Sequence, residues 1–433
     1  MMIPRILRSS VAGIVVIILY LPAPAQETVK GTLSLRQAVT VALEHHPSLR
    51  AADAGVRSAS GGLTQASSAY WPSVIGSGGW THNEGWFVFN PSFPPRNQIY
   101  SSYTAGLAVS QTIFDFGKTI GRVSAGSDLL NAAESDFESA RTAVIMNVEL
   151  AYFAYIQAQQ IVGVNEEAVQ RTQQHLTQAK AFYGVGMRPQ IDVTRAEVDH
   201  ANADVNLIRA RNQLRIAKLL LENAMGVHTT EQYRLTDSLE VREFTMTIDS
   251  VKSRTLEQRP ELAATRARLG AARSLVIAAW TQHLPTISAT GAYNWTNFDF
   301  PLYNRWNVGL TISLPLFMGF SLAAQVDQAR ANADAVQANF DALTEAVILE
   351  TEQEYLGLKE AEERISASVK LVEQSEQTLN LAEKQYAAGV GTVLDVTDAQ
   401  VLLSNARITK IQAIFDYNSS LIHLQRSMGT LGS

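Results

Sequence analysis

The stretch YAAGVGTVLDVTD, residues 386–398, nearly reprints YGVGMRPQIDVTR, residues 183–195, with the tyrosine, a glycine and Asp-Val-Thr in register at an offset of 203 residues. A repeat on this scale constrains the architecture before any local propensity does. The match continues outward. LRQAVTVALEHHPSLRAA (35–52) pairs with LEQRPELAATRA (256–267), and YWPSVIGSGGW (70–80) with HLPTISATGAY (283–293), both at an offset of 213. QTIFDFGKT (111–119) meets LPLFMGFSL (314–322), where the offset is again 203. The first copy therefore holds ten extra residues between Pro72 and Phe114, expected as a longer loop.

Each copy carries the same order of periodicities. Helical stretches at about 34–70 and 251–283 stop at Pro72 and Pro285, because proline cannot continue a helix. Alternating segments follow: Tyr103, Ala105, Leu107 and Val109; Ile287, Ala289, Gly291, Tyr293 and Trp295; Trp306, Val308, Leu310, Ile312 and Leu314. Apolar residues at every second position mark strands with one buried face. With a glycine-rich segment at about 73–86, four strands are expected, within about 73–114 and about 286–317. Two proline-free stretches rich in Ala, Glu, Gln and Leu then run from Lys118 to Phe182 and from Ser321 to Tyr386. Each predicts a rod of roughly 100 Å at about 1.5 Å per residue. Past the glycine-containing tips the chain returns as a second helix, where Ala196, Ala203, Ala210, Ala217 and Ala224, and likewise Ala399, Ala406 and Ala413, recur every seven residues. Small residues at heptad spacing let neighbouring rods pack closely.

Composition narrows the function. The first 26 residues, MMIPRILRSSVAGIVVIILYLPAPAQ, place Arg5 and Arg8 before an apolar run from Val11 to Leu21 and end in Ala23-Pro24-Ala25. That is the layout of a cleaved secretory signal over 1–25, since the run is shorter than the roughly 20 residues of a spanning helix. The chain has no cysteine and a net charge of −6, which excludes a disulfide framework and makes nucleic acid a poor partner. Hydrolase, zinc-protease, P-loop and dinucleotide motifs are absent, so no catalytic residue, metal site or cofactor is expected. His45 and His46 point about 100° apart on a helix and precede Pro47, which predicts a helix-end role.

The whole mature chain resembles the TolC-like outer membrane factors, the outer membrane efflux protein family of Gram-negative bacteria. The resemblance rests on LSLRQAVTVALEHHPSLRAA near the start, SQTIFDFGKT leaving the second strand and the two G-x-x-x-x-x-D-V tips, in the same order in both halves. It implies a mainly α fold with a membrane β-barrel part, in which a trimer shares a twelve-stranded barrel continuous with an α-helical tunnel. The chain then divides into a first repeat (26–225, helical hairpin about 118–225), an equatorial insert (226–251), a second repeat (252–428, helical hairpin about 320–428) and a tail (429–433). The implied function is that of an exit duct in the outer membrane, extending into the periplasm. It conducts substrate passively for a tripartite efflux pump or type I secretion system. Implied partners are outer-membrane lipid, a periplasmic adaptor (membrane fusion protein) and an inner-membrane transporter of RND, ABC or MFS type. A periplasmic coiled-coil scaffold without a pore is the alternative, and it leaves the strands without a task.

The resemblance also assigns the tips. Gly186, Met187 and Arg188, and Gly389, Val390 and Gly391, would form hairpin apices that meet the adaptor. Asp395 and Asp398 would ring the narrowest part of the tunnel and raise each other's pKa values by like-charge repulsion; a solvated helix face is the competing reading. Tyr386 and Asp192 would hydrogen-bond between hairpins and hold the entrance shut. Better-known members carry an arginine at the position of Gly391, whereas this chain has its arginine at the matching place in the first copy, Arg188.

Overall fold

A computed structural model of the chain describes residues 31–87, 94, 96–227, 233–241 and 243–432; the expected signal segment 1–25 lies outside them. The first elements are α1 (Leu35–His45) and α2 (Pro47–Ser67). His46 separates them, extended at φ −65° and ψ 127°, with its side chain accepting from the Ser48 amide. A residue before proline is pushed out of the helical region, so His46 both closes α1 and caps α2, the helix-end role its sequence position predicts. Arg259 stands between α5 (Ile248–Gln258) and α6 (Pro260–Trp280) with similar backbone angles, φ −69° and ψ 120°, but without a side-chain cap.

Both α2 and α6 end in a short 3₁₀ turn and deliver the chain into strands: β2 (Ser73–Phe87) and β3 (Arg96–Phe114), then β5 (Thr286–Asn297) and β6 (Tyr303–Ser313). They form one antiparallel sheet of order β2-β3-β5-β6. Its register places Trp80, Tyr103, Leu107, Val109, Tyr293, Trp295, Trp306, Val308, Leu310 and Ile312 on one face. The opposite face carries Ser77, Gly79, Thr104, Gly106, Ala108, Ser288, Thr290, Gly309 and Thr311. The outer edges of β2 and β6 have no partner strand among the described residues. One expectation is corrected here. The extra residues of the first copy mostly lengthen its strands, 15 and 19 residues against 12 and 11, rather than a loop.

From the sheet the chain enters α3 (Lys118–Gly184, 67 residues) and returns as α4 (Gln190–Ala224, 35 residues). After β6 it enters α7 (Ser321–Ala387) and returns as α8 (Val393–Ser427), again 67 and 35 residues. Ala196, Ala203, Ala210, Ala217, Ala399, Ala406 and Ala413 are all buried, so the alanine heptads are the seams of these hairpins. The two hairpins meet mainly where α3 lies along α8. No helix among the described residues is long and apolar enough to cross a membrane.

A feature not foreseen from the sequence lies midway. β1 (Gly31–Leu33) pairs in parallel with β4 (Tyr233–Leu235), inside the expected insert. Asp237 Oδ2 accepts from the Leu35 amide at 2.8 Å and lies 2.7 Å from Tyr152 Oη. The strand pair thus closes over a core of Leu33, Ala42, Val148, Tyr152, Leu221 and Met225. The tail is anchored as well, with Leu431 buried against Ile145 and Ile422.

Candidate functional site: the hairpin tips

The tips lie at the ends of α3 and α7 away from the sheet. Helix α3 ends with Gly186 at φ +75°, and the Met187 amide bonds back to Phe182 O at 2.9 Å. At the other tip Gly389 sits at φ +82°, while the Val390 and Gly391 amides bond to Gln385 O at 3.1 and 3.0 Å. A glycine in the left-handed region lets a helix end by satisfying its last carbonyls. Helix α8 then starts from a capping box. Asp395 Oδ2 accepts from the Thr392 amide at 2.8 Å, and Thr392 Oγ1 accepts from the Asp395 amide at 3.3 Å. Side chains of Val185, Met187 and Val390 stand out at 70%, 70% and 81% exposure.

Between the tips lies Tyr386, 2% exposed, packed on Phe182 at 6.0 Å between ring centroids. Arg188 crosses from the first tip to the second. Its guanidinium lies 4.9 Å from the Tyr386 ring centroid, and Nη2 donates to Gly391 O at 3.0 Å. Gly391 itself is crowded: a Cβ there would come within 3.0 Å of Gln385 Cβ and the Tyr386 amide. A side chain at 391 would therefore displace its neighbours, and the bridging cation comes from the other hairpin instead.

The Tyr386–Asp192 hydrogen bond implied by the resemblance is not formed in this protomer. Tyr386 Oη is buried with no hydrogen-bond partner, although Asp192 is itself buried in the first turn of α4. Burial pushes the phenol above its ordinary value; the Asp192 charge adds to this and Arg188 opposes it. Asp395 and Asp398 are both exposed. Within one protomer the Asp395 carboxyl is held below the usual carboxylate range by the hydrogen bonds from Thr392, opposite to the direction expected of a carboxylate ring.

Sequence reading missed three further links. Thr397 Oγ1 on α8 donates to Asp199 Oδ2 on α4 at 2.7 Å. His175 Nε2 on α3 lies 3.7 Å from Glu383 Oε1 on α7, and Arg407 on α8 pairs with Glu167 on α3 and Glu376 on α7. Thr397 alone left a trace, as the last residue of the repeated Asp-Val-Thr.

A family model described as outer membrane efflux protein matches residues 38–227 and 251–430. Outer membrane protein TolC of Escherichia coli (strain K12) is 22% identical over 365 residues, 80% of this chain and 73% of that protein. Outer membrane protein TolC of Vibrio cholerae serotype O1 is 23% identical over 424 residues, 93% of each chain. Among solved structures, the Campylobacter jejuni CmeC outer membrane channel superposes with a TM-score of 0.82 at 20% identity, covering 92% of this chain and 85% of that one. With most of its length inside the two matched segments, this chain belongs to the outer membrane efflux protein family and is a duct of the outer membrane.

Proposed function

We propose that three copies of this chain close one twelve-stranded barrel in the outer membrane, and that their helices continue it as a tunnel into the periplasm. The observation that carries this reading is the sheet. Among the described residues it has four strands and two open edges, with one apolar aromatic-bearing face and one face of mostly small and polar residues. Lipid requires that every backbone group be paired and that no edge remain, and a barrel needs about eight strands or more. One copy cannot meet that requirement, and three can. The apolar face then meets lipid and the other lines the bore. A periplasmic scaffold would leave Trp306, Val308, Leu310 and Ile312, each 65–78% exposed, in water.

The domain boundaries follow the duct: strands for the membrane, hairpins for the tunnel, and the β1–β4 region with the tail as a belt. The six tips of a trimer would gate the periplasmic entrance, with Asp192, Tyr386, Asp395 and Asp398 lining or closing it. The protruding Gly186–Arg188 and Gly389–Gly391 segments would receive a periplasmic adaptor. That adaptor would link the duct to an inner-membrane transporter, which supplies the energy, so the chain itself needs no catalytic residue. Purified protein should run as a heat-labile trimer and give discrete conductance steps in planar bilayers. A stable folded monomer that never conducts would overturn the reading.

A further inference from the structure

Strand β3 outruns its neighbour. Its pairing with β5 ends at Tyr103 opposite Asn297, while residues 96–102 pair, among the described residues, only with 81–87 of β2. A two-stranded ribbon of about seven residues, roughly 20 Å at about 3.3 Å per residue, thus stands beyond the four-stranded sheet. Such a ribbon is marginal by itself. The β5–β6 connection grips its base from both sides. Asn297 Nδ2 donates to Pro301 O at 2.7 Å and Asn297 Oδ1 accepts from the Phe298 amide at 2.8 Å, which curls this loop. Phe300 then packs on Tyr103 at 5.1 Å, and Phe298 meets Tyr100 edge-on at 5.3 Å.

The two contacts lie on different faces. Tyr103 shares the apolar face with Leu107 and Val109, whereas Tyr100 lies on the face of Thr104, Gly106, Ala108 and Ser110. Below Tyr100 that second face carries mostly small residues, among them Gly79, Gly106, Ser288, Thr290, Gly309 and Thr311, with Tyr303, Arg305 and Asn294 nearer the rim and Asn307 and Ile75 below them. A face mostly of glycine, serine, threonine and asparagine thus rises past Arg305 and Tyr303 to the Tyr100–Phe298 ring pair at its outer rim. We propose that Phe298 and Tyr100 form a second constriction, at the extracellular mouth of the duct, which sets the largest solute that can enter from outside. The periplasmic tips do not serve this purpose, since they lie a rod's length away. The proposal rests on the closed barrel argued above, in which three such pairs would ring the mouth, while Phe300 and Tyr103 face outward.

The chain contains no cysteine, so a single Thr290→Cys, exposed on the bore face, reports entry from outside. Intact cells producing it would be treated with maleimide-polyethylene glycols of increasing mass, with the heat-labile trimer as the assembly control. Phe298→Ala and Tyr100→Ala should each speed labelling by the largest excluded reagent about tenfold, as a barrier lowered by about 1.4 kcal/mol would. Phe300→Ala should stay near the parent rate. If the Phe298→Ala trimer labels like the parent, or Phe300→Ala matches Phe298→Ala, the constriction is refuted and the phenylalanines only brace the ribbon. Should Phe298→Ala not assemble, Phe298→Leu replaces it, with an intermediate cutoff expected and a parental cutoff refuting the proposal. A trimer whose Thr290→Cys resists even the smallest maleimide would instead refute the bore assignment, and with it the barrel.

Discussion

At Arg188 one side chain joins two hairpins through a backbone oxygen and an aromatic face. A charge-assisted hydrogen bond is worth about 1.5–3 kcal/mol and an exposed cation–π contact about 0.5–1 kcal/mol; Arg188 is only half-buried, so the low end applies. Arg188→Ala should therefore raise the open probability of the reconstituted duct about thirtyfold, for roughly 2 kcal/mol lost. Tyr386→Phe should change it little, because the phenol oxygen has no hydrogen-bond partner. Single-channel recordings decide, and equal effects of the two variants would contradict the geometry. Glycines separate in the same way. At Gly429, φ +68°, a Cβ would fall 2.5 Å from Gln258 O, whereas at Gly389, φ +82°, nothing lies within 4 Å. Alanine costs roughly 1–2 kcal/mol in the left-handed region at either site, and at 429 it must also push back the Gln258–Arg259 backbone. Thermal unfolding of Gly429→Ala should come at clearly lower temperature than that of Gly389→Ala.

Hairpins, taken as elements, are held together near the tips by groups whose charge depends on pH. His175 on α3 faces Glu383 of α7, with Arg171 on its own helix and Asp199 of α4 nearby. Burial between the helices lowers its pKa below the ordinary 6.5; Glu383 and Asp199 oppose this and Arg171 reinforces it. The seam therefore holds a neutral imidazole, and separation of the hairpins would return the group to water. A depressed value in the packed state means that the stabilisation is complete above pH 6.5 and is lost as pH falls through the range below it. Spin labels at positions 187 and 390 should report a wider tip separation at pH 5.5 than at 7.5, and His175→Gln should flatten that difference. Rods, seams and tips were legible because each repeats a pattern: heptads of alanine, a glycine turn, Asp-Val-Thr. The ribbon of 81–87 and 96–102 was not, since THNEGWF and RNQIYSS place no apolar residue at every second position. Strands β1 and β4, three residues each, are too short for any period. The acceptor of Arg188 escaped for a different reason: it is a main-chain carbonyl, which no letter of the sequence distinguishes.

For the whole molecule, the decisive property is that β2 and β6 each keep a free edge among the described residues while their faces are already committed. Side chains alternate with a period of two, so a slip by one residue at a junction between copies would turn apolar residues into the bore. In β2 the apolar face carries even-numbered residues such as Val74, Gly78 and Trp80, and in β6 it carries Trp306, Val308, Leu310 and Ile312. If copies pair through these edges as proposed, even positions of β2 should oppose even positions of β6 whatever the stagger. Paired cysteines at 74, 76 or 78 and at 308, 310 or 312 can be introduced into a chain that has none of its own. Oxidised in the membrane, at least one such pair should yield covalent dimers and trimers on denaturing gels, since directly opposed Cβ atoms lie about 4.5–5.5 Å apart, close to disulfide range. Mixed pairs, such as 74 with 311, should give far less product, because their side chains leave opposite faces of the wall. Cross-linking confined to mixed parity would mean that one face has been misassigned, and an entirely monomeric product would mean that these edges do not meet.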